Sequence, residues 1–307
     1  MPKRRPSAAT TAARAASRAR APSLTHPERL LLHDPPVTKQ ALADLYRSLA
    51  PHILPGLINR PLMLLRCPDG DKGECFFQKH AGRGFPPVVR QVSDRTAGER
   101  WMYVDGLDGL IGLVQMNTLE LHVWGATVAD LDAADRLIID MDPAPGVSWK
   151  RVVEGARELR SRLERFDLQC FVRTSGGKGL HVVVPLNPAL EWDRVRHFAR
   201  SIAEGMAADD PQRYLAVAAK EQRAGKIFLD YLRNARGATA VCSYSLRARP
   251  GAPLATPLTW EELARVSGAD QFRFDNILEH LARRPAPAWQ GFERVTQSLP
   301  RLQAKAG

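Results

Sequence analysis

The chain has 307 residues, 44% hydrophobic and 25% charged, with 44 Lys and Arg against 33 Asp and Glu, a formal balance of +11. Such a composition is globular and long enough for one large domain or two ordinary ones, which excludes wholesale disorder. No run approaches the roughly 18 consecutive apolar residues of a membrane-spanning helix and the N-terminus lacks the apolar core of a secretory signal, so a soluble, cytoplasmic protein with no membrane partner is expected.

The basic excess is uneven. Lys3, Arg4, Arg5, Arg14, Arg18 and Arg20 fall within residues 1–24 with no acid among them, six of the eleven net charges. Too little apolar surface is available there to offset the ordering entropy, so a basic flexible tail or linker is expected. A solubilising end and a transit-type segment are the alternatives. Phosphate polyanions would favour both the tail and the basic body through counterion release. The four cysteines, Cys67, Cys75, Cys170 and Cys242, form no CxxC pair, so reduced and mostly buried thiols are the expectation.

From Thr25 onward the pattern alternates between strands and helices, without repeats. Val37-Thr38-Lys39 reads as a cap for a helix over 40–49, with Leu42, Leu45 and Leu49 at helical spacing and a Pro-rich run to end it. Short apolar runs at 62–65, 75–77, 112–114, 119–123 and 137–139 suit strands by length. A helix is predicted over 149–165, then strands over 170–173 and 180–185, a helix around 193–206 and a strand around 226–231. The pattern is that of a mixed α/β fold.

The strand Leu137-Ile138-Ile139 runs into Asp140-Met141-Asp142-Pro143. Alternation points Asp140 and Asp142 to the same side. Two close carboxylates repel, and a divalent cation relieves that repulsion as a hard ion among oxygen ligands. The plainer reading is one Asp capping the following turn and one solvated. A second apolar strand, Ile227-Phe228-Leu229, ends in Asp230, which folding could bring beside the pair. Three aspartates can hold two ions for phosphoryl or nucleotidyl transfer; an ion pair from Asp230 to Arg233 or Arg236 is the alternative.

Between the strands at 170–173 and 180–185 lies Thr174-Ser175-Gly176-Gly177-Lys178-Gly179. Amides of a glycine turn can converge on phosphate, with Ser175, Lys178 and His181 adding a hydroxyl, a charge and an imidazole. It is not a P-loop: Gly179 follows Lys178 where Ser or Thr is needed, and a strand follows instead of a helix. An ordinary hairpin turn fits the same residues.

Together, Asp140-x-Asp142, Ser175-Gly-Gly-Lys-Gly-Leu-His181 and Asp230 resemble the three motifs of archaeo-eukaryotic primase-type polymerases. Flanking blocks narrow the resemblance to the polymerase domain of bacterial DNA ligase D: Thr25-His26-Pro27-Glu28-Arg29, Val37-Thr38-Lys39, Phe76-Phe77-Gln78-Lys79-His80, Glu120-Leu121-His122-Val123-Trp124 and Ser245-Leu246-Arg247-Ala248-Arg249-Pro250. The resemblance implies a two-lobed primase-type fold over residues 25–300, with mixed or antiparallel central sheets flanked by helices and a flexible end at 301–307. It implies a polymerase of non-homologous end joining that prefers ribonucleotides, uses two manganese or magnesium ions, takes NTPs or dNTPs, and acts on gapped or overhanging DNA ends with a 5′-phosphate. Ku and a ligase module would be its partners.

Carried over by residue, the resemblance makes Asp140, Asp142 and Asp230 metal ligands and His122 a histidine of the catalytic pocket. It places Ser175, Lys178, His181 and Arg247 around the triphosphate, Arg29 and Lys39 on a downstream 5′-phosphate, and Phe76 and Phe77 on the template. Lys79, Arg233 and Arg249 join the basic DNA-facing set. Alternation would let only one of the two phenylalanines face DNA, and as a strand Arg247 and Arg249 would share a side. No Lys-x-Asp-Gly adenylation motif is present, so nick sealing is not expected. A non-catalytic end-bridging module and a two-metal nuclease remain the competing readings.

Overall fold

A computed structural model describes residues 23–300. The charged tail anticipated over 1–24 lies, but for its last two residues, outside the described residues, as does the C-terminus anticipated over 301–307.

In chain order the elements are β1 (Leu30–His33), β2 (Pro36–Thr38), α1 (Lys39–Leu57), β3 (Leu62–Arg66), β4 (Phe76–Gln78), β5 (Arg90–Asp94), β6 (Glu99–Tyr103), α2 (Leu107–Gln115), β7 (Thr118–Trp124) and β8 (Ala133–Pro143). There follow α3 (Trp149–Glu164), β9 (Phe171–Thr174), β10 (Leu180–Glu191), α4 (Trp192–Asp209), β11 (Tyr214–Leu215), β12 (Ile227–Asp230), β13 (Thr239–Val241), β14 (Pro257–Leu258) and α5 (Ile277–Ala282). Two sheets carry the molecule. One has six strands in the order β11-β12-β8-β10-β9-β14, antiparallel except for β11 beside β12; the other has four, in the order β13-β7-β3-β4. Ile138, Phe171 and Val183 of the first pack with Ala240 of the second, so the sheets meet face to face over part of their area. This is the mixed α/β architecture with antiparallel sheets and flanking helices.

Thr38 caps α1 as its sequence suggests, its Oγ1 accepting from the Ala41 amide at 3.1 Å. The helix runs on through Pro51 and Pro55, where the Pro-rich run was expected to end it. An interior proline costs about 3 kcal/mol. Ile53 between them and Leu57 beyond them are fully buried, each recovering roughly 1.5–3 kcal/mol. The strand anticipated at 112–114 is instead part of α2. A short apolar run buried on several sides looks alike in either state, and here Gly109 and Gly112, one turn apart, let the helix approach Val104 and Val88 closely.

Two of the four thiols are not reduced: Cys67 and Cys75 form a disulfide, while Cys170 and Cys242 are free and buried. The hairpin of β3 and β4 explains the pair. Arg66 faces Phe76 across the ladder, so the next residues outward face each other too, with Cα atoms 4.3 Å apart.

Candidate active site

Strand register builds the site. His181 of β10 and Asp230 of β12 both stand opposite Asp140 of β8, and Arg173 of β9 stands opposite His181. Arg173, His181, Asp140 and Asp230 therefore form one row across four adjacent strands, all on one face. Asp142 lies two residues along β8 on that same face, while Met141 between them is fully buried on the other. The three aspartates separated in sequence do meet.

Cations hold them. The Arg233 Nε lies 3.1 Å from Asp230 and 3.6 Å from Asp140, bridging the two, and the Arg223 Nη1 lies 3.2 Å from Asp142. The ion pair weighed as the alternative for Asp230 is thus present beside the carboxylate cluster. Burial works against the charge of Asp140, but His181 and then Arg233 and Arg247 outweigh it and hold the carboxyl at about 2. Burial and the nearby Asp140 raise Asp142 above the ordinary range, and burial chiefly does the same to Asp230. Like charge crowded into one place and only partly neutralised is what a hard divalent cation would relieve. As the side chains stand, with Arg233 and Arg223 on the aspartates, no group of three or more His, Cys, Asp or Glu among the described residues is placed to hold a metal ion. The all-oxygen donor set, with a guanidinium between two of its members as a cationic stand-in, fits manganese or magnesium.

Opposite the carboxylates, a cavity of about 340 Å³ is lined by Lys178, His181, Arg233, Arg247 and Arg249 together with His122 and Ser175. The glycine turn forms one wall, but not as a cradle of amides. Ser175 Oγ accepts from the Gly177 and Gly179 amides at 3.3 and 3.2 Å, so these donors are spent inside the turn. The exposed Lys178 carries the positive charge of the turn. A Cβ on Gly179 would lie 1.9 Å from the Met141 carbonyl, and Gly176 has a positive φ of 64° with Arg247 and Leu254 against it. Arg247 and Arg249 face the cavity from a turn rather than a strand, the Arg249 amide donating to the Arg247 carbonyl at 2.8 Å.

Three residues with clear roles here were not singled out from sequence. Buried Glu120 accepts from His122 Nε2 at 2.8 Å, lies 3.1 Å from Arg247 Nε and accepts from the Ala248 amide at 3.0 Å, orienting two sequence-identified residues at once. Against the cost of burial, His122 and Arg247 bring its carboxyl down to about 2. Buried Arg173 donates to His181 Nδ1 at 3.0 Å. A guanidinium has no acceptor, so Nδ1 must be unprotonated and Nε2 carries the hydrogen toward Asp140, 3.4 Å away. Burial lowers both His181 and His122 below the ordinary histidine range, favouring neutral rings. Arg223 is the third. A signal existed for the first two, a charged residue inside an otherwise apolar strand.

The remaining sequence-identified residues stand elsewhere. Arg29 and Lys39 are brought together, the Lys39 amide donating to the Arg29 carbonyl, and Lys39 Nζ donates to the Thr25 and Gln115 carbonyls at 3.0 and 3.2 Å. Burial first, and Arg29 second, depress its pKa. Phe76 and Phe77 are 41% and 59% exposed, so both reach solvent where alternation would admit one; β4 is a three-residue edge strand, with only Arg66 over Phe76 and His122 against Phe77. Phe77 meets the edge of His122 at 5.6 Å between centroids, which links this surface to the cavity. Lys79 is committed to Glu99 at 2.9 Å and to the Trp101 face.

The model of the LigD primase-polymerase domain matches residues 38–289. The chain belongs to the LigD primase-polymerase family. It is 40% identical over 260 residues to the multifunctional non-homologous end joining protein LigD of Pseudomonas aeruginosa, covering 84% of this chain and 31% of that protein. To LigD of Mycolicibacterium smegmatis it is 32% identical, covering 84% and 34% respectively. The polymerase domain of Mycobacterium tuberculosis ligase D, solved in complex with DNA, superposes with a TM-score of 0.82 at 29% identity, covering 89% of this chain and 98% of that one. This LigD-family chain thus spans about a third of the length of those relatives. Among the described residues no helix is long and apolar enough to cross a membrane.

Proposed function

We propose that this chain is a template-directed nucleotidyltransferase that extends or fills gaps at DNA double-strand break ends in non-homologous end joining, preferring ribonucleotides, with Ku and a ligase module as partners. The observation that carries this reading is that Asp140 and Asp142 line one cavity with His181, Lys178, Arg247 and Arg249, while Asp230 stands opposite Asp140 on the neighbouring strand. Carboxylates on one wall and cations on the other suit a triphosphate whose α-phosphate is attacked while its far end is held. Asp140, Asp142 and Asp230 would hold two manganese or magnesium ions, which when bound supply activation of the primer 3′-hydroxyl and neutralise charge at the leaving oxygen.

The chain's own residues do the rest. Lys178, Arg247 and Arg249 bind the β- and γ-phosphates and steady the departing pyrophosphate. Glu120 fixes Arg247 and His122, and Arg173 fixes His181 with its Nε2 hydrogen aimed at Asp140. Arg29, just ahead of β1, and Lys39, at the start of α1, are joined through the backbone and capture a 5′-phosphate beyond the gap without reading sequence. Phe76 and Phe77 stack on template bases, an interaction open to any base.

Extension of a gapped, 5′-phosphorylated duplex with NTP and manganese tests the reading. The Asp140→Ala, Asp142→Ala protein should lose at least about a hundredfold in rate; undiminished extension contradicts the site, and shortening of the labelled strand would mean a nuclease. Lys39→Ala should weaken use of gapped duplex more than of open primer–template, and equal losses on both contradict the 5′-phosphate role.

A further inference from the structure

A second cavity, of about 330 Å³, opens on the same face of the six-stranded sheet as the aspartates but at the other end of β8. Arg136, Ile138 and Asp140 share that face by alternation, which sets the two ends about 13 Å apart along the strand. The packed cluster of Ile138, Phe171, Val183, Ala240 and Phe292 separates them.

The walls of the second cavity are aromatic and apolar: Trp289, Phe292, Tyr244, His52 and Pro55. Trp289 and Phe292 lie nearly parallel, at 18° and 5.0 Å, and a hydrogen bond from Trp289 Nε1 to the Val172 carbonyl fixes the indole. The floor is cationic. Arg136, with 6% of its side chain exposed, touches Asp135 only through Nε, at 3.0 Å, and among the described residues its terminal nitrogens make no hydrogen bond. Its guanidinium lies 5.4 Å from the Phe292 centroid. Arg173, 3% exposed, donates only to neutral acceptors, His181 and Ser243, and burial pushes it down to about 10. Deeper in, Arg60 shares Asp135 with Arg136. Arg60 and Arg136 thus share the Asp135 carboxylate while Arg173 has no carboxylate in hydrogen-bond reach, so positive charge at the floor exceeds the negative charge paired with it. Glu293 stands exposed at the rim.

We infer that this cavity is a binding site for a small planar aromatic carboxylate, its ring against Trp289 and Phe292 and its carboxylate on the free nitrogens of Arg136. The planar fork of an arginine matches a carboxylate, and the apolar walls together with Glu293 at the mouth disfavour a multiply charged phosphate. Of the groups on this floor only Arg173 also touches the first cavity, through His181; the carboxylate is placed on Arg136, which does not, so the assignment does not depend on the polymerase reading.

Isothermal titration of the full chain with 2-naphthoate tests it. Saturable binding is expected, at least tenfold weaker for the neutral 2-naphthamide and for Arg136→Met, and abolished by Ala288→Trp, which fills the mouth. Absence of binding, equal affinity for acid and amide, or displacement of the probe by ATP with manganese would overturn it, the last by placing the probe in the triphosphate cavity. Should Arg136→Met not fold, as judged by its melting curve, the amide and Ala288→Trp decide.

Discussion

The Arg233 guanidinium spans Asp140 and Asp230 and so occupies the charge position that a divalent cation would contest. It is 42% exposed, which limits what the bridge contributes to about 1 kcal/mol. Replacing it with glutamine keeps a polar group of similar reach and removes the competing charge. Arg233→Gln should therefore melt about 2–4 °C below the parent without metal, and manganese should raise its melting temperature more than it raises the parent's, since no guanidinium has to move aside. Equal shifts on adding manganese would show that Arg233 and the ion do not compete. Lys178 and Arg249 offer no comparable test, because both are exposed on the cavity rim and neither bridges the aspartates.

At the level of elements, the pairing of β8 with β10 brings His181 into register with Asp140, and Gly179 is where that pairing is tightest. A methyl group there meets the Met141 carbonyl at 1.9 Å, a backbone atom that cannot swing away, whereas at Gly177 the nearest atom, at 3.4 Å, belongs to the flexible Arg249 side chain. Gly179→Ala should cost more than about 3 kcal/mol by denaturant unfolding, and Gly177→Ala less than about 1; similar costs would mean that the turn, not the strand approach, demands glycine. Much of this was legible in the sequence. The alternation at Asp140 and Asp142, the strand at Asp230 and the glycine turn are local patterns, and β8, β10, β12, α3 and α4 fall where periodicity puts them. What periodicity could not supply is register and company. That Arg173 faces His181, and that Glu120 holds Arg247, depends on pairings between distant strands; Cys67 meets Cys75 only because a hairpin folds them together. The extension of α1 past two prolines and the helical state of α2 were decided by tertiary burial, which outweighs local preference when the buried residues are large.

Across the whole molecule, ion pairs tie outlying pieces to the two sheets, and they set how it behaves in acid. Arg236, in the loop after β12, donates to Asp94 of β5 at 2.5 and 2.8 Å and to Asp132 ahead of β8 at 2.9 Å, fastening the β5–β6 hairpin to the body. Those bonds from Arg236 hold the Asp94 carboxyl at about 2, against an ordinary value of 3.8. Asp135 behaves alike: burial opposes its charge, but Arg136 and Arg60 outweigh burial and keep it near 2. A carboxyl depressed by folding binds fewer protons in the native state than in the unfolded one, so stability rises with pH across the interval between the two values. Each group contributes in full above its ordinary value, and the contribution is lost as pH falls from about 4 toward 2. With 1.36 kcal/mol per unit, Asp94 accounts for about 2 kcal/mol, since its side chain is 1% exposed. Asp94→Asn should therefore be less stable than the parent by about that amount at pH 7. The gap, read from urea midpoints, should narrow as the pH is taken from 5 to 3, because the unfolded chain's carboxyl takes up its proton in that interval while the native one stays largely ionised until the pH nears 2. A gap that stays constant over that interval would assign the stabilisation to packing of the hairpin and not to the charge that Arg236 holds in place.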